Sequence, residues 1–295
     1  MTSIAVVAHA GKTLGGGLAE LRRRLETDLG ANPLWFEVEK SRMAPKATKR
    51  CLKAGADLIL VWGGDGTVQR VVDTVAGSDV TLGILPAGTG NLLANNLGIP
   101  IDLEGALEVA LHGARQDLDV GVINGERFAV MAGAGFDAIM MKDADTKMKD
   151  RFGRLAYVYT GVKASGEGST KVKVDVDGQR WFSGRAGCVL FGSMGTLTGG
   201  LQAFPDADPT DGKLEVGVVT ADSPVKWARV LARAVMKKAD RSPLARTTRA
   251  KKVDVRFATP VAYELDGGAR PAAKKLKVRV QPAAVRFAVP PAPTR

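Results

Sequence analysis

The 295-residue chain is poor in the side chains on which most metal and thiol enzymes depend. It has two cysteines, Cys51 and Cys188, and two histidines, His9 and His112. Neither cysteine has a second Cys or a His at metal-ligand spacing, which argues against a zinc site and against Cys–His catalysis. Both lie in apolar stretches and read as buried thiols. Long apolar runs are also missing. No segment approaches the ~20 residues that span a bilayer, so any membrane contact is expected to be peripheral. The opening Met-Thr-Ser-Ile-Ala-Val-Val-Ala has no basic flank and no long apolar core. It reads as a first strand and not as a signal peptide, and a cytoplasmic protein is expected.

What the chain does have is positive charge. Lys and Arg outnumber Asp and Glu by 42 to 31, a net +11. Such an excess favours an anionic partner: a nucleotide, a nucleic acid or an acidic lipid surface. The plain alternative is a soluble basic surface with no partner.

The first third alternates strand and helix signals. Residues 4–8 are a short apolar run, and Leu18, Leu21, Leu25 and Leu29 follow at helical spacing. Strands are expected at 34–38, 57–62 and 81–85, and helices at 45–54 and 68–76. The run DLILVW at 57–62 is apolar throughout, as a strand buried on both faces should be. This rhythm predicts a doubly wound α/β domain over 1–115, with 282–295 as a segment that packs back on it. After residue 115 the pattern becomes antiparallel and all-β. Asn124-Gly125 and Asp177-Gly178 mark two hairpins, joining 117–123 to 127–132 and 171–176 to 180–183. Short alternating runs continue at 187–192, 214–219, 253–257, 261–265, 276–280 and 285–289. A β-sandwich domain is therefore expected over 116–281, and 290–295 as a frayed tail.

Two glycine-rich turns follow consecutive strands of the α/β part. One is Gly63-Gly64-Asp65-Gly66-Thr67; the other is Pro86-Ala87-Gly88-Thr89-Gly90-Asn91. Glycine lets backbone N–H groups approach phosphate oxygens closely. A helix starting near Thr67 would add N–H donors and its dipole. Thr67 and Thr89 offer hydroxyls. Asp65 would repel a phosphate, unless it holds Mg²⁺ or takes a proton from an attacking hydroxyl. One such turn is often an ordinary strand–helix connection. Two at the same end of adjacent strands, one bearing an acid, point to phosphate. The pattern is neither Walker A nor G-x-G-x-x-G.

GGDGT after an apolar strand, followed by LGILPAGTGNLLANNLGIP, resembles the diacylglycerol kinase catalytic-domain family. That family includes bacterial lipid kinases and sphingosine kinases. LDVGVING, AGAGFDA, FGRLAYV, FPDADPTDGKLEV and ELDGG follow in the family's order, so the resemblance spans nearly the whole chain. It implies a nucleotide-binding α/β domain, then a β-sandwich domain, with ATP in the cleft between them. Matched residue by residue, Gly64, Asp65, Gly66, Thr67 and Val68, with Gly63 before them, would cradle the ATP phosphates. Gly88, Thr89 and Asn91 would add contacts from the second turn. His9 and Lys12 would lie near the nucleotide, where the family usually has Asn-Pro and this chain has His9-Ala10. Lys40 and Ser41 fall where the family often places an ATP-contacting threonine. Asp211 matches an acid that holds a structural Mg²⁺, with backbone carbonyls of Asp208 and Lys213.

Two departures stand out. Leu92 replaces an Asp common after the second turn. Gly268 replaces the Glu of a usual Asp-Gly-Glu; that Glu is a candidate base or nucleotide contact. The base is then expected to be Asp65 or Asp266. The expected reaction moves the ATP γ-phosphate to diacylglycerol or a related lipid, without nucleic acid as a partner and with exposed edge strands open to pairing of two subunits. NAD kinases share GGDGT, but VQRVVDT after it lacks their Asn-Glu pair. A nucleotide-binding protein without kinase activity is the third reading. For membrane contact, two basic amphipathic stretches are candidates: 224–240, with Trp227 opposite Lys226, Arg229, Arg233 and Lys237, and 140–154, with Met140, Met141, Met148 and Phe152. A further basic stretch runs over 241–252. A helix packed on the protein's own core is the plain alternative for the first.

Overall fold

A computed structural model describes residues 3–27, 32–135, 169–197, 201–235 and 242–291. In chain order the elements are β1 (Ile4–His9), α1 (Gly17–Thr27), β2 (Leu34–Val38), a single 3₁₀ turn (Ser41–Met43), α2 (Ala44–Lys53), β3 (Leu58–Gly63), α3 (Asp65–Val75), β4 (Thr81–Pro86), α4 (Leu92–Asn96), α5 (Leu103–His112) and β5 (Ala114–Ile123). There follow β6 (Glu126–Phe128), β7 (Met131–Gly135), β8 (Thr170–Val176), β9 (Gln179–Ala186), β10 (Cys188–Gly192), β11 (Leu214–Val219), α6 (Pro224–Val235), β12 (Ala245–Ala250), β13 (Lys252–Leu265) and β14 (Gly268–Val289). The chain divides into two compact units, Met1–Val120 with Pro282–Arg295, and Gly121–Gln281. The first boundary lies beyond residue 115, inside β5, whose early residues stay with the first unit. No helix among the described residues is long and apolar enough to cross a membrane.

The first unit is a three-layer α/β domain around a parallel sheet. Strands β4, β3, β1 and β2 lie side by side in that order, and the end of β14 joins as a parallel neighbour of β4. Every residue of β3 and β4 is buried, the signature of parallel strands covered on both faces. Helices α1, α2 and α3 bury Leu21 and Leu25, Cys51, and Val71 and Val72. Both cysteines are buried free thiols, and burial pushes Cys51 up to about 11. Helix α3 starts at Asp65, earlier than the expected residue 68, because the glycine turn is itself the helix's first turn, capped by Gly64.

The second unit is an antiparallel sandwich-like domain. Its strands run β12-β11-β10-β7-β13-β14, with β8 paired to β13 and β9 to β8. Phe128, Phe191, Val172, Val174 and Leu276 form its core. Both hairpin turns adopt the left-handed backbone that Asn-Gly and Asp-Gly favour, with φ of 51° and 97° at Asn124 and Gly125, and 49° and 87° at Asp177 and Gly178. The strand expected at 127–132 is broken into β6 and β7. The amides of Ala129 and Val130 leave the ladder to serve a carboxylate described below. The paired runs near the C-terminus are two long strands. β13 passes from 256 to 261 through a register shift, and β14 continues past Ala283 at φ 45°.

Two membrane expectations change. The basic stretch 241–252 holds an edge strand from Ala245, paired along its length with β11. Arg249 bonds Glu215 at 2.6 Å and Arg246 stacks on Trp181 at 5.6 Å. Helix α6 buries Trp227 and Val230 against Cys188, Val219 and Ala221, so these two side chains pack on protein. The stretch 140–154 and residues 236–240 lie outside the described residues. Trp227→Ala is therefore expected to cost about 3–5 kcal/mol in a urea titration. A tryptophan that served a bilayer would leave stability unchanged.

Candidate active site

The register of the parallel sheet sets the site. β3 and β4 pair from Leu58 opposite Thr81 to Gly63 opposite Pro86, so the two glycine turns leave adjacent strands at one level. The Ala87 N–H donates to the Gly63 carbonyl at 3.1 Å and ties them. Beyond that bond the turns touch through their glycines. A Cβ on Gly88 would sit 2.5 Å from the Gly64 Cα, and one on Gly64 would sit 3.1 Å from the Gly88 Cα. No other residue fits at 88 without moving backbone. The turns thus meet at the carboxyl ends of their strands, where ligands of parallel sheets bind, around a small cavity lined by Gly63, Gly64, Asp65, Val68, Asn91 and Leu93.

Asp65 is the acid of this cavity. Its Oδ1 accepts the Leu92 N–H at 2.5 Å and so joins the start of α3 to the start of α4. Burial raises its carboxyl above the ordinary range, while the amide of Leu92 and the charge of Lys12 pull it part of the way back. Asn91 sits in left-handed backbone at φ 48°. Its amide accepts from Gly88 N at 2.9 Å and donates to the carbonyls of Gly88 and Pro86. The side chain expected at the nucleotide is thus spent inside the turn. Thr89 is exposed at the turn's tip.

Three further expected residues gather here. Ser41 Oγ lies 3.0 Å from Thr67 Oγ1, which sets Ser41 beside the first turn. The Thr67 side chain is 1% exposed and its hydroxyl faces Ser41. Gly66 is exposed, while the Thr67 and Val68 amides donate to the Gly64 carbonyl at 2.9 and 3.1 Å. The first loop arrives through Trp62, a residue sequence reasoning passed over. This fully buried indole donates to the Lys12 carbonyl at 3.0 Å. The signal was available, since a buried Trp needs a partner for its N–H. His9 closes its own loop by accepting from Gly11 N at 3.2 Å. Lys40 is exposed, next to Ser41.

The remaining expected residues belong to the second unit and form separate groups. Asp266, 5% exposed and at φ 44°, accepts three backbone N–H groups: Ala129 at 2.7 Å, Val130 at 2.9 Å and Met131 at 2.9 Å. These contacts shape the chain at 129–131, which gives Asp266 a structural part in the second unit. Asp208 accepts from the Thr210 N–H and hydroxyl, and Asp211 accepts from Lys213 N at 2.9 Å.

Residues 5–123 match the model of the diacylglycerol kinase catalytic domain, and residues 130–289 match that of the YegS C-terminal NAD kinase beta sandwich-like domain. The chain belongs to the diacylglycerol kinase family. Membership places it among lipid kinases. It is 30% identical to a diacylglycerol kinase of Bacillus subtilis over 228 residues, 76% of this chain and 75% of that one. A crystal structure of a diacylglycerol kinase from Bacillus anthracis superposes with a TM-score of 0.77 at 21% identity, covering 97% of this chain and 96% of that one. An NAD kinase of Archaeoglobus fulgidus, solved with ATP, shares the fold at a TM-score of 0.53 and 11% identity, over 97% and 93% of the two chains.

A Cβ on Gly268 would meet the tip of the Arg270 side chain, Nη1, at 2.8 Å. That guanidinium donates to the Gly268 carbonyl at 2.9 Å and is paired with Glu126. For the structural Mg²⁺ that the family implies, the donors at hand are hard oxygens, the Asp211 carboxylate and main-chain carbonyls, which suit such an ion. The Asp208 carbonyl meets the Asp211 N–H only at 3.5 Å and keeps acceptor capacity. Arg249 lies 3.7 Å from the Asp211 Oδ2.

The Asp266 geometry gives a sharp expectation. Asp266→Ala orphans three buried amides and should cost more than ~3 kcal/mol in chemical denaturation. Asp266→Asn tolerates the left-handed backbone and should lose less. Wild-type stability in the alanine variant, with turnover alone abolished, would instead mark Asp266 as a base.

Proposed function

We propose that the chain transfers the γ-phosphate of ATP to a hydroxyl of diacylglycerol or a related lipid. The observation that carries this reading is the contact of two glycine turns at the head of α3, which leave adjacent parallel strands at one level of their carboxyl ends. Gly64, Gly66 and Val68 hold the first turn, and Gly88 with the exposed Thr89 hydroxyl forms the second. Lys12 supplies positive charge beside Asp65. Mg²⁺ bound with the nucleotide would neutralise phosphate charge, and a second ion at Asp208, Asp211 and Lys213 would brace the loop before β11.

Asp65 is the acid assigned to the proton of the attacking hydroxyl. Its carboxylate accepts the Leu92 N–H and is also stabilised by the backbone amides of Asn91 and of Asp65 itself. Its raised carboxyl moves it toward neutral pH, where a base is useful. Positioning does the rest, because phosphoryl transfer depends on alignment and charge neutralisation more than on base strength. Membership in a family of lipid kinases supports a lipid acceptor over NAD, as does the ELDGG stretch.

The test is incubation with labelled ATP, Mg²⁺ and a panel of diacylglycerol, monoacylglycerol, ceramide, sphingosine and NAD, with lipids in neutral detergent micelles. Label is expected on diacylglycerol or a related lipid. Asp65→Asn still accepts the Leu92 N–H, so stability should hold while the rate falls about 10²–10⁴-fold. Activity requires ionised Asp65. It should therefore rise with pH through a value above the ordinary ~3.9, and that limb should vanish in Asp65→Asn. Label on NAD alone, or wild-type turnover in Asp65→Asn, contradicts the assignment.

A further inference from the structure

The outer face of the second unit's sheet carries a charge pattern that folding does not explain. β9, β8, β13 and β14 are consecutive neighbours, and their registers align exposed residues in rows. One row is Ser183, Lys173, Arg256 and Lys275, each opposite the next. All three cations are exposed. Beside it, Lys171 lies opposite Arg185. On the other side Lys252 lies opposite Arg279. Between these rows Asp254 stands opposite both Asp175 and Lys277. Asp175 pairs with Arg180 and with Arg256 at 3.6 Å, and Asp254 lies 3.8 Å from Lys252. Among the described residues Lys171, Lys275, Lys277 and Arg279 have no acid at ion-pair distance.

Cross-strand neighbours stand about 4.5–5.5 Å apart at Cβ, and like charges directly opposite destabilise a sheet. Three cations in one row, flanked by two more cation–cation pairs, are retained against that cost. Asp175 and Asp254 take Arg180, Arg256 and Lys252 as partners, and the other cations of the face remain in excess. The rows span three inter-strand steps, about 14 Å, on a broad sheet face.

We infer that this face is a docking surface for an anionic lipid bilayer. The inference rests on the lipid-kinase reading, because the acceptor of such an enzyme sits in a membrane. The complementarity is electrostatic: Lys and Arg attract the negative surface potential of acidic headgroups, by about fivefold in binding per residue. The face fits lipid better than nucleic acid. The rows consist of Lys, Arg, Asp and Ser, with no aromatic ring on which a base could stack. Trp181, on the same strand as Arg185, is packed against the core and under Arg246. This surface takes the part that sequence reasoning gave to Trp227 and its helix.

The experiment is co-sedimentation of the full chain with vesicles of phosphatidylcholine alone, or of phosphatidylcholine with phosphatidylglycerol. The combined variant Lys173→Thr, Arg256→Thr and Lys275→Thr places strand-favouring residues at exposed sites. It should bind phosphatidylglycerol vesicles about a hundredfold less tightly. A control with the same charge change elsewhere, Lys46→Gln, Lys49→Gln and Lys53→Gln on α2, should keep most of the binding. Wild-type binding should fall with salt and be near absent on phosphatidylcholine alone. Vesicle binding needs no turnover, and the neutral-micelle assay needs no anionic surface. Loss of the first alone therefore refutes the surface, and loss of the second alone refutes the kinase reading. Equal loss in both combined variants overturns the proposal, as does unchanged binding in the first. Tighter binding to a DNA oligonucleotide than to the anionic vesicles at matched salt would also overturn it and assign the face to nucleic acid.

Discussion

The contact of Gly64 with Gly88 is the constraint on which the α/β unit's ligand end depends. Parallel pairing brings Gly63 level with Pro86, and the chains then turn toward each other until their α-carbons leave no room for a Cβ. That approach brings the start of α3 and the second turn to one place. Asp65 then locks the arrangement through Leu92 N, and Asn91 braces the second turn from inside. Most of the polar side chains named by the motif therefore hold the turns together, and glycine recurs at 64 and 88 because the two backbones leave no room for a Cβ.

Much of the α/β unit was legible. Parallel strands buried on both faces are apolar throughout, so 57–62 announced β3, and glycines punctuated the turns after β3 and β4. The hairpins at Asn124 and Asp177 were legible for the same reason, since few residues tolerate left-handed backbone. What escaped was set by partners far away in sequence. Asp266 takes its three amides from residues 129–131, and their withdrawal from the ladder splits an expected strand. Nothing local in Arg127 to Ala132 signals that. β12, written ARTTRA, is polar enough to pass for a basic loop, because an edge strand on one neighbour buries few of its side chains.

In the site, residues named separately in the sequence meet one another in the fold. Ser41 arrives beside Thr67, and the two hydroxyls meet each other. Asp266 was a fair candidate by motif, and its surroundings make it a brace. Gly268 marked a departure whose physical content needed the structure: Arg270, held by Glu126, sets the tip of its side chain beside that glycine. Charge was also legible only in sum. The +11 pointed to an anion, and only the strand registers show cations aligned on one sheet face.

The central claim is that the paired turns hold the phosphates of ATP. Amide hydrogen exchange with and without ATP and Mg²⁺ tests it most directly, residue by residue. Protection is expected to concentrate at 63–68 and 87–92, with little change elsewhere in the parallel sheet. ATP binding that leaves both turns exchanging at their free rate would contradict the account.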